Sequence, residues 1–353
     1  MIFPKCRIGR MPQIAYTGHV LPCCWMPYDD NILFDDMVMK QTPFMKEHFN
    51  IYNNKLADII NSDEWIAMLD NINIDTPIKC RESCSDFVVD NEKFSTQNSK
   101  VVKFNPNEHN LNSYIDKTST DEKLYKQAIN NFKGYTGIQI ETTTRCSLKC
   151  PYCARTNKVS LEKHQYKKED LSLEVLYDVF STEGIERITD CGRYGDSSYH
   201  PRYHDILDLL IESKTVKNYQ LSIAATGHKE KWWQIAIDKF VTMKQSGTNP
   251  ELVFGIDGLR ETSKIHRINQ NFDEIWNAMI TCNQLGIDVI WQVIPTSANE
   301  HQLDEIENIA NELNIPIRLV ISDRWKDRPN AKDVLAPKNH NLRNFKFPEK
   351  DCF

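Results

Sequence analysis

No run in this chain approaches the roughly 20 consecutive apolar residues that a bilayer-crossing helix needs, so no membrane span is expected. The opening residues, MIFPKCRIGR, lack the apolar core of a secretory signal, which points to a cytoplasmic protein. Positive charge is not in excess either: 43 Lys and Arg stand against 49 Asp and Glu, a net charge of -6. Bulk electrostatics therefore give no sign of nucleic-acid binding. Repeats and low-complexity tracts are missing, and 40% hydrophobic with 26% charged residues excludes disordered, collagen-like and fibrous classes. The 353 residues suffice for one large domain and a smaller one.

What the chain does have is cysteine, 11 in all. In a reducing compartment clustered thiols serve metal binding or catalysis more than disulfides. Cys6, Cys23, Cys24, Cys80 and Cys84 fall in the first quarter, Cys146, Cys150 and Cys153 form a tight trio, and Cys191, Cys282 and Cys352 stand alone. The trio reads Cys146-Ser-Leu-Lys-Cys150-Pro-Tyr-Cys153, a C-x3-C-x2-C loop following a strand expected from Gly137 to Glu141. Structural zinc takes four protein ligands. A cubane iron-sulfur cluster held by three thiolates instead leaves one iron open to an outside ligand, and cysteine is the usual ligand of such clusters. The competing use is a zinc knuckle that borrows a distant fourth ligand.

The stretch IETTTRCSLKCPYCAR resembles the signature of the radical S-adenosylmethionine (SAM) enzymes. The resemblance implies that Cys146, Cys150 and Cys153 hold a [4Fe-4S] cluster whose open iron is chelated by SAM. Reduction then cleaves SAM to methionine and a 5′-deoxyadenosyl radical, which takes a hydrogen atom from the substrate. Tyr152 is implied to lie near the adenine. The family's fold is a partial parallel barrel with its cluster at the carboxyl ends of the strands.

Alternating strands and helices should then follow. Short apolar or β-branched runs read as strands at 137–141, 185–190, 219–224, 251–256, 287–294 and 316–321. Helical patterns lie between them at 171–181, 202–213, 230–245, 272–285 and 302–313. Periodicity alone does not separate a barrel from a doubly wound sheet; the resemblance selects an α/β fold with a partial (β/α)6 TIM-like barrel over 132–322. In helix 202–213, Ile206, Leu209, Leu210 and Ser213 are expected on one face, with Asp205, Asp208 and Glu212 off it. Trp232 and Trp233, at helical spacing from Ile235, Ala236 and Ile237, read as core.

Two strand-end loops carry chemistry. Cys191-Gly-Arg-Tyr-Gly-Asp196 resembles the glycine-rich, acid-ending segment that receives the SAM amino group, which assigns Gly192, Gly195 and Asp196, with Gly-Asp in place of the commoner Gly-Glu. A plain turn with a solvated aspartate is the competing reading. Cys191 itself is a candidate radical donor or extra cluster ligand, against the default of a buried free thiol, which also covers Cys282 and Cys352. Ala224-Ala-Thr-Gly227 stands where relatives carry Thr-Asn-Gly, leaving Thr226 to substitute. Phe254-Gly-Ile-Asp-Gly-Leu259 followed by His266-Arg267 resembles the segment whose arginine reaches the SAM carboxylate, which assigns Arg267, with Asp257 a second candidate or a turn former. Gln292 is a candidate for lining the cavity and His301 for the surface at a helix start.

Residues 1–95 hold the second cysteine group. Gly18-x4-Cys23 suits a hairpin that returns a thiol toward Cys6, and Cys80 and Cys84 can share a helical face or tight loop. Four such thiolates make a closed site, for which spacing alone leaves zinc open. The pattern resembles the SPASM or shortened twitch extension of radical SAM enzymes, which implies one auxiliary [4Fe-4S] cluster on Cys6, Cys23, Cys80 and Cys84. Here it precedes the barrel, whereas the usual order places it after. Cys24 reads as a neighbour or alternate ligand; residues 96–131 read as a linker, and 323–353 as a tail that covers the open barrel end.

The expectation is thus a radical SAM oxidoreductase or maturase acting on a peptide or protein side chain, with a flavodoxin or ferredoxin as electron donor. The alternatives are a radical SAM dehydrogenase of a small alcohol or sugar, SAM-dependent methylation or carbon-sulfur bond formation, and a non-catalytic zinc-binding scaffold.

Overall fold

The computed structural model describes residues 5–23, 47–72, 84, 122–151, 153, 155–156, 168–191, 194–320, 322, 335–339 and 342. A short 3-10 turn, Lys5–Ile8, leads into β1 (Gln13–Ile14) and β2 (Val20–Leu21). Helices α1 (Leu56–Ile60), α2 (Asp63–Asn71) and α3 (Glu122–Asn131) follow. Strand and helix then alternate: β3 (Gly137–Ile140), α4 (Leu173–Ser181), β4 (Arg187–Asp190), α5 (Tyr203–Glu212), β5 (Asn218–Ile223), α6 (Glu230–Gln245) and β6 (Asn249–Gly255). The run closes with α7 (Ser263–His266), α8 (Phe272–Gln284), β7 (Asp288–Val293), α9 (Leu303–Glu312) and β8 (Ile317–Leu319). Side-chain caps start two of the crossover helices: Ser172 accepts from the Val175 N–H ahead of α4, and Asn271 from the Glu274 N–H ahead of α8.

The eight strands form one sheet in the order β2-β1-β3-β4-β5-β6-β7-β8, and every pair from β1 to β8 is parallel; only β2 runs antiparallel, as a hairpin on β1. From β3 onward the spatial order follows the chain without the reversal that marks a doubly wound sheet. Parallel crossovers are right-handed, so an unreversed order puts the connecting helices on one face, the winding of a TIM-like barrel.

Strand register shows which face that is. Ile14, Ile140, Leu221, Leu252 and Val289 stand in one row, interrupted on β4 by Asp190. They belong to one buried cluster with Leu176 of α4, Leu210 of α5, Phe240 of α6, Met279 of α8 and Ile306 of α9. Side chains alternate along a strand, so the row one residue earlier faces away from the helices. It reads Gln13, Gln139, Thr189, Gln220 and Glu251, polar across five strands. The sheet therefore has an apolar face under helices and a polar face opposite.

Three expectations change. Residues 1–95 do not stand apart where they are described: β1 extends the barrel sheet, and Cys6, Ile14, Phe49 and Trp65 share the core cluster with the barrel. Residues 122–131 of the expected linker form α3, against the Lys5–Ile8 turn. On α5 the buried face is Tyr203, Ile206, Leu207 and Leu210, an i, i+3, i+4, i+7 set, while Leu209 is half-buried.

Candidate active site

Because the strands are parallel, the loops leaving β3, β4, β5 and β6 emerge at one end of the sheet. The loop after β3 is anchored before it reaches the cysteines. Arg145 donates through Nε to both oxygens of Asp170, each at 2.9 Å, and Thr143 donates to the same carboxylate at 2.5 Å. Burial would raise the Asp170 pKa, but the hydrogen bonds from Arg145 and Thr143, with the Arg145 charge, bring it below the usual carboxylate range. Further along, Ser147 Oγ donates to the Thr226 carbonyl at 2.6 Å, and the Lys149 N–H to the Ile268 carbonyl at 3.0 Å. The cysteine loop is thereby fastened to the loops after β5 and β6.

Cys146, Cys150 and Cys153 gather with Leu148, Ala224, Ala225 and Tyr199 in a small cluster of their own. Burial pushes the Cys146 thiol up to about 12, and the nearby Asp196 carboxylate adds to the shift. The Leu148 N–H, 3.4 Å from Cys146 Sγ, acts the other way. Among the described residues no group of three or more His, Cys, Asp or Glu side chains stands close enough to hold a metal ion. The thiols share one loop and one patch without a finished coordination geometry.

Gly195 explains how the β4 loop lies against this loop: a Cβ there would sit 2.1 Å from the Thr143 carbonyl oxygen. The Asp196 N–H then donates to the Arg145 carbonyl at 2.8 Å. The Asp196 side chain, assigned in sequence to the SAM amino group, accepts four hydrogen bonds from the protein. Ala224 and Ala225 N–H groups donate to Oδ2, both at 2.8 Å; the Ser198 N–H at 3.2 Å and Oγ at 2.5 Å donate to Oδ1. His228 Nε2 lies 3.1 Å from that same Ser198 Oγ, and its ring stacks on Trp232 at 3.8 Å. Trp232 is accordingly a half-buried partner of His228, while Trp233 is core as expected.

Arg267 approaches from the β6 side. Asp257, with no exposed side-chain surface, accepts from Arg267 Nε at 2.5 Å and from the Ile294 N–H at 2.7 Å, and lies 2.7 Å from His266 Nδ1. Burial alone would raise the Asp257 pKa; the Arg267 charge and the His266 contact outweigh it and hold the group down at about 2. Burial would likewise lower that of Arg267, but Asp257, then Cys150, raise it. The guanidinium is thus fixed by Asp257 on one side and adjoins Cys150 on the other. Gly255 leaves it room, since a Cβ there would lie 3.0 Å from Arg267 Nη2.

Tyr152 and Gly192 lie outside the described residues, as do Cys24 and Cys80. Cys191 is half-buried at the end of β4, Cys282 is buried on α8, Gln292 is half-buried on β7 and His301 is exposed. Cys6 and Cys23 are buried, and both act on the Tyr135 hydroxyl, which donates to the Cys6 carbonyl at 3.0 Å; Cys84 is buried in the same core. Thr226 does not point to a ligand: its Oγ1 accepts from the Asn271 N–H at 2.8 Å. Of the tail, Leu335 accepts from the Ser297 N–H beyond β7.

Sequence reasoning missed Ser147, Gln270 and Glu274. Gln270 bridges the Ala224 and Gly255 carbonyls, and Glu274 accepts from Gly227, His228 and Trp233. Only Ser147, inside the cysteine motif, carried a local signal.

Residues 140–313 match the family model described as the radical SAM superfamily. Among solved structures the chain is similar to anSMEcpe with bound AdoMet and Cp18Cys peptide, at 15% identity and a TM-score of 0.39, covering 52% of this chain and 49% of that one. It is similar to Streptococcus suis SuiB bound to S-adenosylmethionine, at 13% identity and a TM-score of 0.40, covering 57% and 47%. A third likeness is methylornithine synthase, at 16% identity and a TM-score of 0.37, covering 52% of each. The chain spans about half the length of the solved structures it matches. No curated protein matches it. On the strength of the family match, residues 140–313 are a radical SAM domain.

Proposed function

We propose that this chain is a radical SAM enzyme that abstracts a hydrogen atom from a peptide or protein side chain, with Cys146, Cys150 and Cys153 holding the SAM-binding [4Fe-4S] cluster. The observation that carries the reading is the Arg267 guanidinium beside Cys150, on the loop that carries all three cysteines, at the carboxyl end of a parallel sheet. Three soft donors on one loop fit a cluster with one open iron and leave a zinc tetrahedron one ligand short. When bound, the cluster and SAM supply a one-electron reductive cleavage that yields a 5′-deoxyadenosyl radical. Arg267 binds the SAM carboxylate, and Asp257 keeps its fork aimed. Asp196 ties the β4 loop to the end of β5, and Ser147 ties the cysteine loop to Thr226, so both walls of the site are rigid.

The polar sheet face supports the substrate class. Gln13, Gln139 and Gln220 stand in one row of that face, with Gln220 donating to Glu251, and amides have the chemistry that pairs with peptide groups. An auxiliary [4Fe-4S] cluster on Cys6, Cys23, Cys80 and Cys84 is part of the proposal, as is a flavodoxin or ferredoxin donor. Its support is the placement of Cys6 and Cys23 around one tyrosine. Anaerobic reconstitution followed by iron analysis and electron paramagnetic resonance tests the reading. About eight irons per chain, with a reduced-cluster spectrum that changes on adding SAM, are expected; Cys84→Ala should hold about four. Tight zinc with no iron chromophore would leave the scaffold reading in its place.

A further inference from the structure

We propose that the exposed patch formed by Lys149, Lys264, Ile265 and Ile268 is the face on which a flavodoxin docks to deliver the electron that reduces the cluster. The inference rests on the reading of Cys146, Cys150 and Cys153 as cluster ligands and deepens it by locating the donor. Among the described residues a few large hydrophobic side chains stand exposed, and most lie well apart in the chain. Ile265, 42% exposed, and Ile268, 39% exposed, come together in the connection from β6 to α8. An apolar pair held in water beside a functional loop marks a contact surface more than chance exposure does.

This connection is tied to the cysteine loop at two points. The Lys149 N–H donates to the Ile268 carbonyl at 3.0 Å, and Asn269 Nδ2 donates to the Ser147 carbonyl at 3.4 Å. Lys149 directly precedes Cys150, and Ile268 directly follows Arg267, whose guanidinium adjoins Cys150. Exposed surface therefore comes within one residue of Cys150 along both segments. Electron transfer slows steeply with distance, so a protein donor gains most by seating where so little chain separates it from the thiols.

Charge says which kind of protein. Residues 142–156 and 259–271 together hold six Lys and Arg and one acid, Glu261, in a chain whose net charge is -6. Asp170, Asp273 and Asp257, from outside or between these segments, pair with Arg145, Arg260 and Arg267. Lys149 and Lys264 are exposed and form no ion pair among the described residues, which leaves the patch positive against Glu261. An apolar centre with a cationic rim complements a flavodoxin, an acidic protein that exposes the apolar benzenoid edge of its flavin. Redox encounters bury little area and depend on such charge for their speed.

The test is the binding of oxidised flavodoxin to the reconstituted holoprotein, read by calorimetry so that no turnover is needed. Wild type should bind it, with an affinity that falls as salt rises from about 20 to about 200 mM. Lys264→Glu combined with Ile265→Ser should weaken binding roughly tenfold or more and flatten the salt dependence, while iron content and the SAM-induced change in the dithionite-reduced paramagnetic spectrum match wild type. Unchanged flavodoxin affinity in that variant overturns the proposal, and so does an iron-replete wild type that binds no flavodoxin. Weaker binding accompanied by lost iron assigns these side chains to bracing the cysteine loop and overturns it equally. A ferredoxin titrated in parallel whose binding alone falls, or a holoprotein dimer that the substitutions dissolve, gives the patch to another occupant. Should the double variant fail to fold, Lys264→Gln carries the same comparison through the salt dependence. Wild-type protein that takes up no iron-sulfur cluster fails the underlying reading instead, which iron analysis reports before any flavodoxin is added.

Discussion

A carboxylate with no exposed surface, such as Asp257, persists only where its neighbours replace the hydration it has lost. Arg267, His266 and the Ile294 N–H do so, which is why its pKa falls to about 2 despite burial. Asp257→Ala strands the Arg267 charge, and the expected cost is roughly 3–5 kcal/mol in urea unfolding of the metal-free protein. The folded pKa lies below the ordinary 3.8, so this contribution is present above about pH 4 and is lost as pH falls through about 2. Asp190 has the opposite sign. Burial, with the Asp196 charge, raises it to about 7 against hydrogen bonds from Ser197 and Tyr219. The folded state then holds a proton that the unfolded chain has released, and stability falls as pH rises from about 4 to about 7. Asp190→Asn should flatten that slope, by about 1.4 kcal/mol per pH unit across the window, in unfolding midpoints compared at pH 5 and pH 8. A slope unchanged by the substitution would assign it to other groups.

The elements of the barrel were legible because each is long enough to show its period. Apart from the four-residue α7, which has no expected counterpart, the strands and helices from β3 to β8 fall within a few residues of the expected spans, since an apolar face repeats along each crossover helix. Strands β1 and β2 were not legible: two residues have no period, and β1 exists because Gln139 and Glu141 N–H groups find the Pro12 and Ile14 carbonyls. The site divides the same way. Cys146, Cys150, Cys153, Gly195 and Arg267 sit in local motifs, whereas Ser147 meets Thr226 from 79 positions away and Gln270 meets Ala224 from 46. Such pairings are set by topology, which spacing does not encode. The contact of the β3 and β4 loops gives the prediction at this scale. In Gly195→Ala the new methyl meets backbone, which no rotamer change relieves, so a loss of roughly 1–3 kcal/mol and poorer iron retention are expected. Full iron content and unchanged stability in that variant would show that the loops part freely.

At the scale of the molecule, one core runs from the amino-terminal hairpin through the barrel. Sequence reading separated the two because cysteine spacing marks chemistry and says nothing of packing. The pairing of β1 with β3 instead carries Gln13 onto the polar face of the sheet and Cys6 and Cys23 onto Tyr135. Cys6, Cys23 and Cys84 are thus packed in the same core as the barrel, and their role separates from that of the cysteine trio in kinetics. Cys84→Ala should spare SAM cleavage uncoupled from substrate while product formation stops; full turnover in that variant would remove the auxiliary cluster from the mechanism.

The central claim is that the Cys146, Cys150 and Cys153 loop supports radical cleavage of SAM. Anaerobic protein reconstituted with iron and sulfide, reduced in the presence of SAM and assayed by mass spectrometry, should yield 5′-deoxyadenosine, and Cys150→Ala should yield none. Iron-replete wild-type protein that forms no 5′-deoxyadenosine, or a Cys150→Ala variant that forms as much as wild type, would contradict it.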